Sequence, residues 1–381
     1  MTLIKVNNRG QSADFSTEVL GKRNLIINGG MQVAQRATSA ASLSSTGYKT
    51  LDRFEYYVNA MDELRTTMSQ DSSVPTGADS GFSKSLKLDC TTAESAIAAD
   101  ENLRVWQIIE AQNLIRLGYG SSGAKSTTLS FYVKSSLTGT YAISFWCQDP
   151  NRNISKTYTI SAANTWERKT VTIPGDTGGT GINVDNGEGM RINWFLNAGS
   201  NFTSTNTNNQ WDTFASGRHA FGHTAAWGTN TSHDFFLTGV QYEIGDEASD
   251  FEHRSFEDEL HACKRYYQKS FNYDTAPENG GGSGVSFNGG LLGYCGSNNS
   301  GTYSGFHRFD PEMRATPNVT TYGNSSGHWG RLSPTNTGTV SFSAGSGYIS
   351  NIKASGINFG QNAAGDTLLI GYGHITADAE L

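Results

Sequence analysis

Apolar and polar residues exchange places at every step in one run after another between Ser85 and Ile244. Leu129, Phe131 and Val133 share one parity, as do Tyr141, Ile143 and Phe145. A period of two puts alternate side chains on opposite faces of a strand, so each run predicts one face in a core and the other toward solvent or a second sheet. Tyr158 to Ile160, Lys169 to Pro174, Met190 to Leu196 and Phe235 to Ile244 repeat the pattern, separated by turns such as Ser135 to Gly139. Strands recurring with Gly, Ser, Thr and Asn turns predict a β-sandwich, in the form of a jelly roll. Leu103 to Leu117 is less regular. Its Trp106, Ile108, Ile109 and Leu114 can be written on a strand or a helix, and strand is the reading adopted.

One helix stands out. Ser255 precedes Phe256-Glu257-Asp258 as a capping box, acids fill the first turn, and Lys264, Arg265 and Lys269 follow in the last. Phe256, Leu260, Cys263 and Tyr267 supply its apolar face. The glycine run Asn279 to Gly284 marks a loop. Thr316 to Tyr322, Thr339 to Phe342, Tyr348 to Phe359 and Thr367 to Thr376 are strand candidates beyond it. The chain therefore reads as all-β: a polar arm over 1–23, a jelly-roll sandwich over 24–252, a linker helix over 253–271 and a smaller C-terminal β domain over 272–381. The last of these is small and polar enough to have a thin core, which a homotrimeric knob would thicken.

Composition narrows the function. Charged residues are only 17% of 381, with 44 glycines, as expected of a turn-rich β protein. A net charge of −7 without any basic stripe excludes nucleic acid as the expected partner. No apolar run is long enough for a membrane span, and residues 1–36 show no signal-peptide pattern, so synthesis in a cytoplasm is expected. Cys90, Cys147, Cys263 and Cys295 lie too far apart for a zinc ribbon and read as reduced thiols.

Catalytic signatures are missing. Gly118 to Gly123 with Lys125 and Ser126 imitates a nucleotide loop, but a strand rather than a helix follows, so it reads as a turn. His219 and His223 have a metal-like spacing that Gly217 and Gly222 disfavour. No cofactor motif occurs. Asp52, Asp89, Asp212, Asp234 and Glu243 are donors by type for a structural calcium, although none forms a calcium loop. A glycan depolymerase would need two carboxylates brought together from different strands, which spacing does not report. Seven tryptophans and sixteen tyrosines suggest binding instead. Within Gly199 to His233, Trp211 and Trp227 sit beside Asp212 and Asn230, the mixture of flat rings, acids and amides that holds sugars, and these four are the candidate ligand-binding residues. Trp194 is expected in the core.

Several strings resemble tail-fibre-like and other appendage proteins of phages, especially those of marine bacteria. Leu20 to Arg36 (LGKRNLIINGGMQVAQR) is similar to the opening of that family. Asp52-Arg53-Phe54, Trp106 to Glu110 (WQIIE), Ser130 to Ser136 (SFYVKSS), Leu237 to Gly245 (LTGVQYEIG), Phe251 to Ser255 and Cys263 to Tyr267 (CKRYY) follow in its order. The resemblance covers about Leu20 to Tyr267, and Met313 to Pro317 and Gly373 to Leu381 echo it less closely. It implies a jelly roll like that of carbohydrate-binding modules, trimeric assembly, attachment to other virion proteins through residues 1–23, and recognition of a host-surface glycan or receptor. It supplies no catalytic residues. The expectation is a virion protein, assembled in the host cytoplasm, that binds rather than catalyses, with an architectural decoration protein as the alternative and a glycan depolymerase spike as a third reading.

Overall fold

The computed structural model describes residues 23–77, 81–205, 209–278, 291–294, 305–322, 330–333, 336–341, 348–360 and 370–381. Apart from Arg23, the expected arm lies outside the described residues, as do the loop from Asn279 to Gly284 and Cys295. The chain divides into two compact units. The first runs to Gln32 and adds Ala41–Gly47 and Phe54–Arg254; the second takes Val33–Ala40, Tyr48–Arg53 and Ser255–Leu381. Two short stretches ahead of Phe54 thus belong with the C-terminal unit, which no reading of contiguous domains anticipates.

The strands of the sandwich are β1 (Ser39–Leu43), β2 (Glu55–Asn59), β3 (Arg65–Asp71), β4 (Ser85–Thr92), β5 (Asn102–Glu110), β6 (Thr127–Ser135), β7 (Gly139–Cys147), β8 (Arg152–Ile160), β9 (Glu167–Ile173), β10 (Glu188–Ala198), β11 (Asp212–Thr213) and β12 (Asp234–Ile244). They form two six-stranded sheets, ordered β1-β3-β4-β12-β6-β9 and β11-β8-β7-β10-β5-β2. Rings from the two sheets meet between them. Phe131 lies edge-on to Trp194 at 6.0 Å, Phe145 meets Tyr242 at 5.7 Å, and Tyr141 meets Phe235 at 6.2 Å. The expected alternation is therefore real, with Trp194 fully buried in the core. Such aromatic pairs add to the stabilisation from apolar burial.

The ambiguous segment divides: β5 ends at Glu110 and a 3-10 turn covers Ala111–Leu117. Every residue of β5 is buried, so no solvent face was there to reveal its period. The nucleotide-loop look-alike is a turn, with Gly118 and Gly120 at positive φ.

In the second unit, α1 (Phe256–Lys264) starts as expected, its cap Ser255 accepting from the Asp258 backbone N–H at 3.1 Å. It stops at Lys264. Tyr267–Lys269 form β13, paired with the C-terminal strand β21 (Ile370–Asp378), so the segment expected as a linker helix is part of the second unit. The spacing of Phe256, Leu260, Cys263 and Tyr267 suits a helix, but main-chain pairing with β21 claims Tyr267. The remaining strands are β14 (Leu291–Tyr294), β15 (Gly305–Arg308), β16 (Asn318–Tyr322), β17 (Gly330–Ser333), β18 (Asn336–Ser341), β19 (Tyr348–Lys353) and β20 (Gly356–Gly360). A small core of Phe309, Met313, Ile357, Ile375, Ala377 and Ala379 supports them. Asp52 accepts from Gln35 and lies 4.0 Å from Arg36, while Arg36 and Arg53 both reach Glu380 and lie over the rings of Tyr267 and Tyr266. The Asp52-Arg53 pair is thus held in a buried ionic network of this unit.

Candidate functional site

The four residues expected to hold a ligand do not form a groove. Trp227 is fully buried in a 3-10 turn, and its carbonyl bonds the His233 ring at 2.7 Å. Trp211 is 8% exposed; its Nε1–H donates to the Pro174 carbonyl at 2.7 Å and its ring meets Tyr119 edge-on. Both indoles plug loops, the commoner fate of a large ring near a sandwich. Asp212 pairs with Arg218, which holds its carboxyl below the usual range, and Asn230 closes a local turn by accepting from Ser232 N–H at 2.8 Å.

The calcium donors are equally dispersed. Asp89 and Asp234 are opposite each other on β4 and β12, Glu243 accepts from Ser249, and Asp52 is in the ionic network of the second unit. Among the described residues no group of three or more His, Cys, Asp or Glu side chains is placed to hold a metal. His219 and His223 are both buried and face different partners: Arg104 for the first, the Ala142 N–H for the second.

A different set of residues converges. Alternation in the second sheet sends Met190, Ile192 and Trp194 of β10 into the core, so Arg191, Asn193 and Phe195 emerge on the outer face. The register places Asn193 opposite Trp106 and Ser144, Arg191 opposite Trp146, and Phe195 opposite Arg104. Trp146 in turn faces Asn153, and Glu55 and Tyr57 of the edge strand face Trp106 and Arg104.

The result is a row of planar groups across the sheet. Tyr57 and Trp106 have centroids 4.5 Å apart, the Arg191 guanidinium is 4.0 Å above Trp106 and 5.2 Å from Trp146, and Trp146 stacks on Phe214 at 4.7 Å. Glu188 clamps Arg191 through both carboxylate oxygens, and Glu55 accepts from Trp106 Nε1–H at 2.5 Å. Tyr57, Arg191, Trp146 and Phe214 are half-buried, so the row is partly open. One end is covered, where Phe195, Ala142 and Ala220 pack with Phe202. Ser155 Oγ donates to the carbonyls of Arg218 and His219, which fixes that loop on β8.

Around the row are buried polar atoms with no hydrogen-bond partner among the described residues. They include Ser144 Oγ, Trp146 Nε1, both amide atoms of Asn153, Asn193 Oδ1 and His219 Nε2. Each such atom costs about 1–3 kcal/mol when left unpaired, so natural cores contain few. Several of these positions neighbour one another on one sheet face. Burial holds the His219 ring well below its ordinary pKa, with the charges of Arg104 and Arg191 adding to the effect, so it is neutral. The half-buried Tyr57, Trp146 and Phe214 rings and the Arg191 guanidinium are the parts of this face open to a flat or ring-shaped ligand.

No family model and no curated protein sequence matches the chain. Solved structures with a distant likeness include the enzymatically active domain of tailspike protein 4 of bacteriophage CBA120, 15% identical over 58% of this chain, with a TM-score of 0.29. This chain spans 21% of that one's length. A putative sugar binding protein of Bacteroides thetaiotaomicron is 13% identical over 58% of this chain and all of its own, with a TM-score of 0.30. A family 11 carbohydrate-binding module of Clostridium thermocellum, in complex with a mixed-linked tetrasaccharide, is 12% identical over 57% of this chain and 99% of its own, with a TM-score of 0.27.

Proposed function

We propose that this protein is a glycan-binding component of a phage virion, a tail fibre or similar appendage, and that the outer face of the β2-β5-β10-β7-β8 array holds the glycan. The observation that carries the reading is the Tyr57-Trp106-Arg191-Trp146-Phe214 row beside unpartnered amides and hydroxyls. Sugar rings present an apolar C–H face and a polar rim of hydroxyls. The half-buried rings of Tyr57, Trp146 and Phe214 suit the first, and the half-buried Arg191 guanidinium suits the second. Binding rather than catalysis is the role, and the virion setting and a homotrimer rest on the resemblance in sequence over Leu20 to Tyr267.

Two assays test this. Trp146→Ala should lower affinity for host-envelope oligosaccharides about tenfold or more, as loss of a central aromatic anchor does; unchanged affinity would move the site elsewhere. Excess soluble protein should block phage adsorption to susceptible cells. Glycan binding without blocking would point to a decoration role, and release of reducing ends would point to a depolymerase.

A further inference from the structure

The chemistry left unpaired on this face is lopsided. Among the described residues Arg104 Nε, Arg218 Nε, Trp146 Nε1, His219 Nε2 and Asn153 Nδ2 are buried nitrogens without acceptors, against Asn102 Oδ1, Asn153 Oδ1 and Asn193 Oδ1 as lone acceptors, with Ser144 Oγ able to serve either way. The tautomer of His219 follows from its partner. Arg104 has only donors to offer, so His219 Nδ1, 3.1 Å from Arg104 Nη1, is the acceptor and Nε2 carries the proton. A neutral sugar brings hydroxyls that donate as readily as they accept. An acid group brings acceptors alone.

Charge points the same way. Arg191 is paired with Glu188 and Arg218 with Asp212, whereas Arg104 makes no ion pair among the described residues. It is 6% exposed, with its guanidinium 4.2 Å from the Tyr57 ring, 4.7 Å from Trp106 and 5.1 Å from Phe195. Glu55 and Tyr57 on the same face add favourable interactions with Arg104, though Glu55 Oε2 bonds Trp106 and makes no ion pair with the guanidinium. A guanidinium stays charged in proteins, and a buried cation without an anion at contact is costly unless something else supplies the anion.

We infer that the ligand carries an acid group, a carboxylate or a sulfate ester on a sugar, and that Arg104 reads it. The inference rests on the glycan-binding reading and narrows it to acidic glycans.

The test uses the full-length chain and calorimetric titration with paired probes. These are oligogalacturonate and its fully methyl-esterified form, and a sulfated dextran oligosaccharide and its unsulfated parent. The acidic member of at least one pair should bind about tenfold tighter or more than its neutral counterpart, and the gap should narrow as salt rises. Whichever pair shows the gap identifies the acid. Arg104→Gln should erase the preference, and Arg104→Lys should keep part of it; thermal unfolding of both variants confirms that they are folded. Equal binding of acidic and neutral members overturns the acid inference and leaves the glycan reading standing. If no probe of either series binds, both fall. A preference that survives Arg104→Gln in a folded variant also overturns the assignment to Arg104.

Discussion

His223 has its Nδ1 on the Ala142 N–H at 3.1 Å and its Nε2 on the Leu196 carbonyl at 3.2 Å, so the neutral ring satisfies both. Burial pushes its pKa from 6.5 down to about 4. The folded state therefore binds a proton less readily than the unfolded chain, and stability is lost as pH falls below 6.5 toward 4. Glutamine in its place can accept and donate in the same sense without titrating. Chemical denaturation of wild type and His223→Gln should show wild type losing about 3 kcal/mol relative to the variant between pH 7 and pH 4. Parallel curves would mean that the ring titrates in the fold as it does in the unfolded chain. Gly120 is a second residue fixed by its surroundings. Its φ is +84° and a Cβ there would run into the backbone nitrogen of Gly181. Gly120→Ala should cost about 1–3 kcal/mol in the same assay.

Among elements, β21 shows how one strand and its tail hold the second unit. It pairs with β13, β14, β16 and β17, and just beyond it Glu380 receives both Arg36 and Arg53. Glu380→Gln would leave the Arg53 guanidinium, 1% exposed, without its carboxylate, and should destabilise this unit by about 3–5 kcal/mol. Hydrogen exchange resolved by segment would show the loss over β13 and β21, and unchanged protection there would remove the network from its assigned role. Elements also show where the sequence is readable. β6, β7 and the first half of β10 alternate plainly in residue type, and the Ser255 cap declares the start of α1. β5 is buried throughout and α1 gives way early to β13, because burial from both sides and pairing with a strand about a hundred residues away leave no mark on local spacing.

For the molecule as a whole, the candidate site was hidden by its construction. Trp106, Arg191, Trp146 and Asn153 come from four strands, and only register assembles them. Trp211 and Trp227, grouped by a polar loop, turned out to be plugs. The usable signal was parity: Arg191 and Asn193 interrupt the apolar Met190, Ile192 and Trp194 in step, which marks an outer face that is polar yet bears large rings. The most direct test of the central claim is titration of wild type and Trp146→Ala with the tightest oligosaccharide from a host-envelope glycan array, followed by intrinsic tryptophan fluorescence. Binding at the outer face predicts a spectral change in wild type and an affinity lower by about tenfold or more in the folded variant. Equal affinity in the two proteins would contradict it and remove this face as the glycan site.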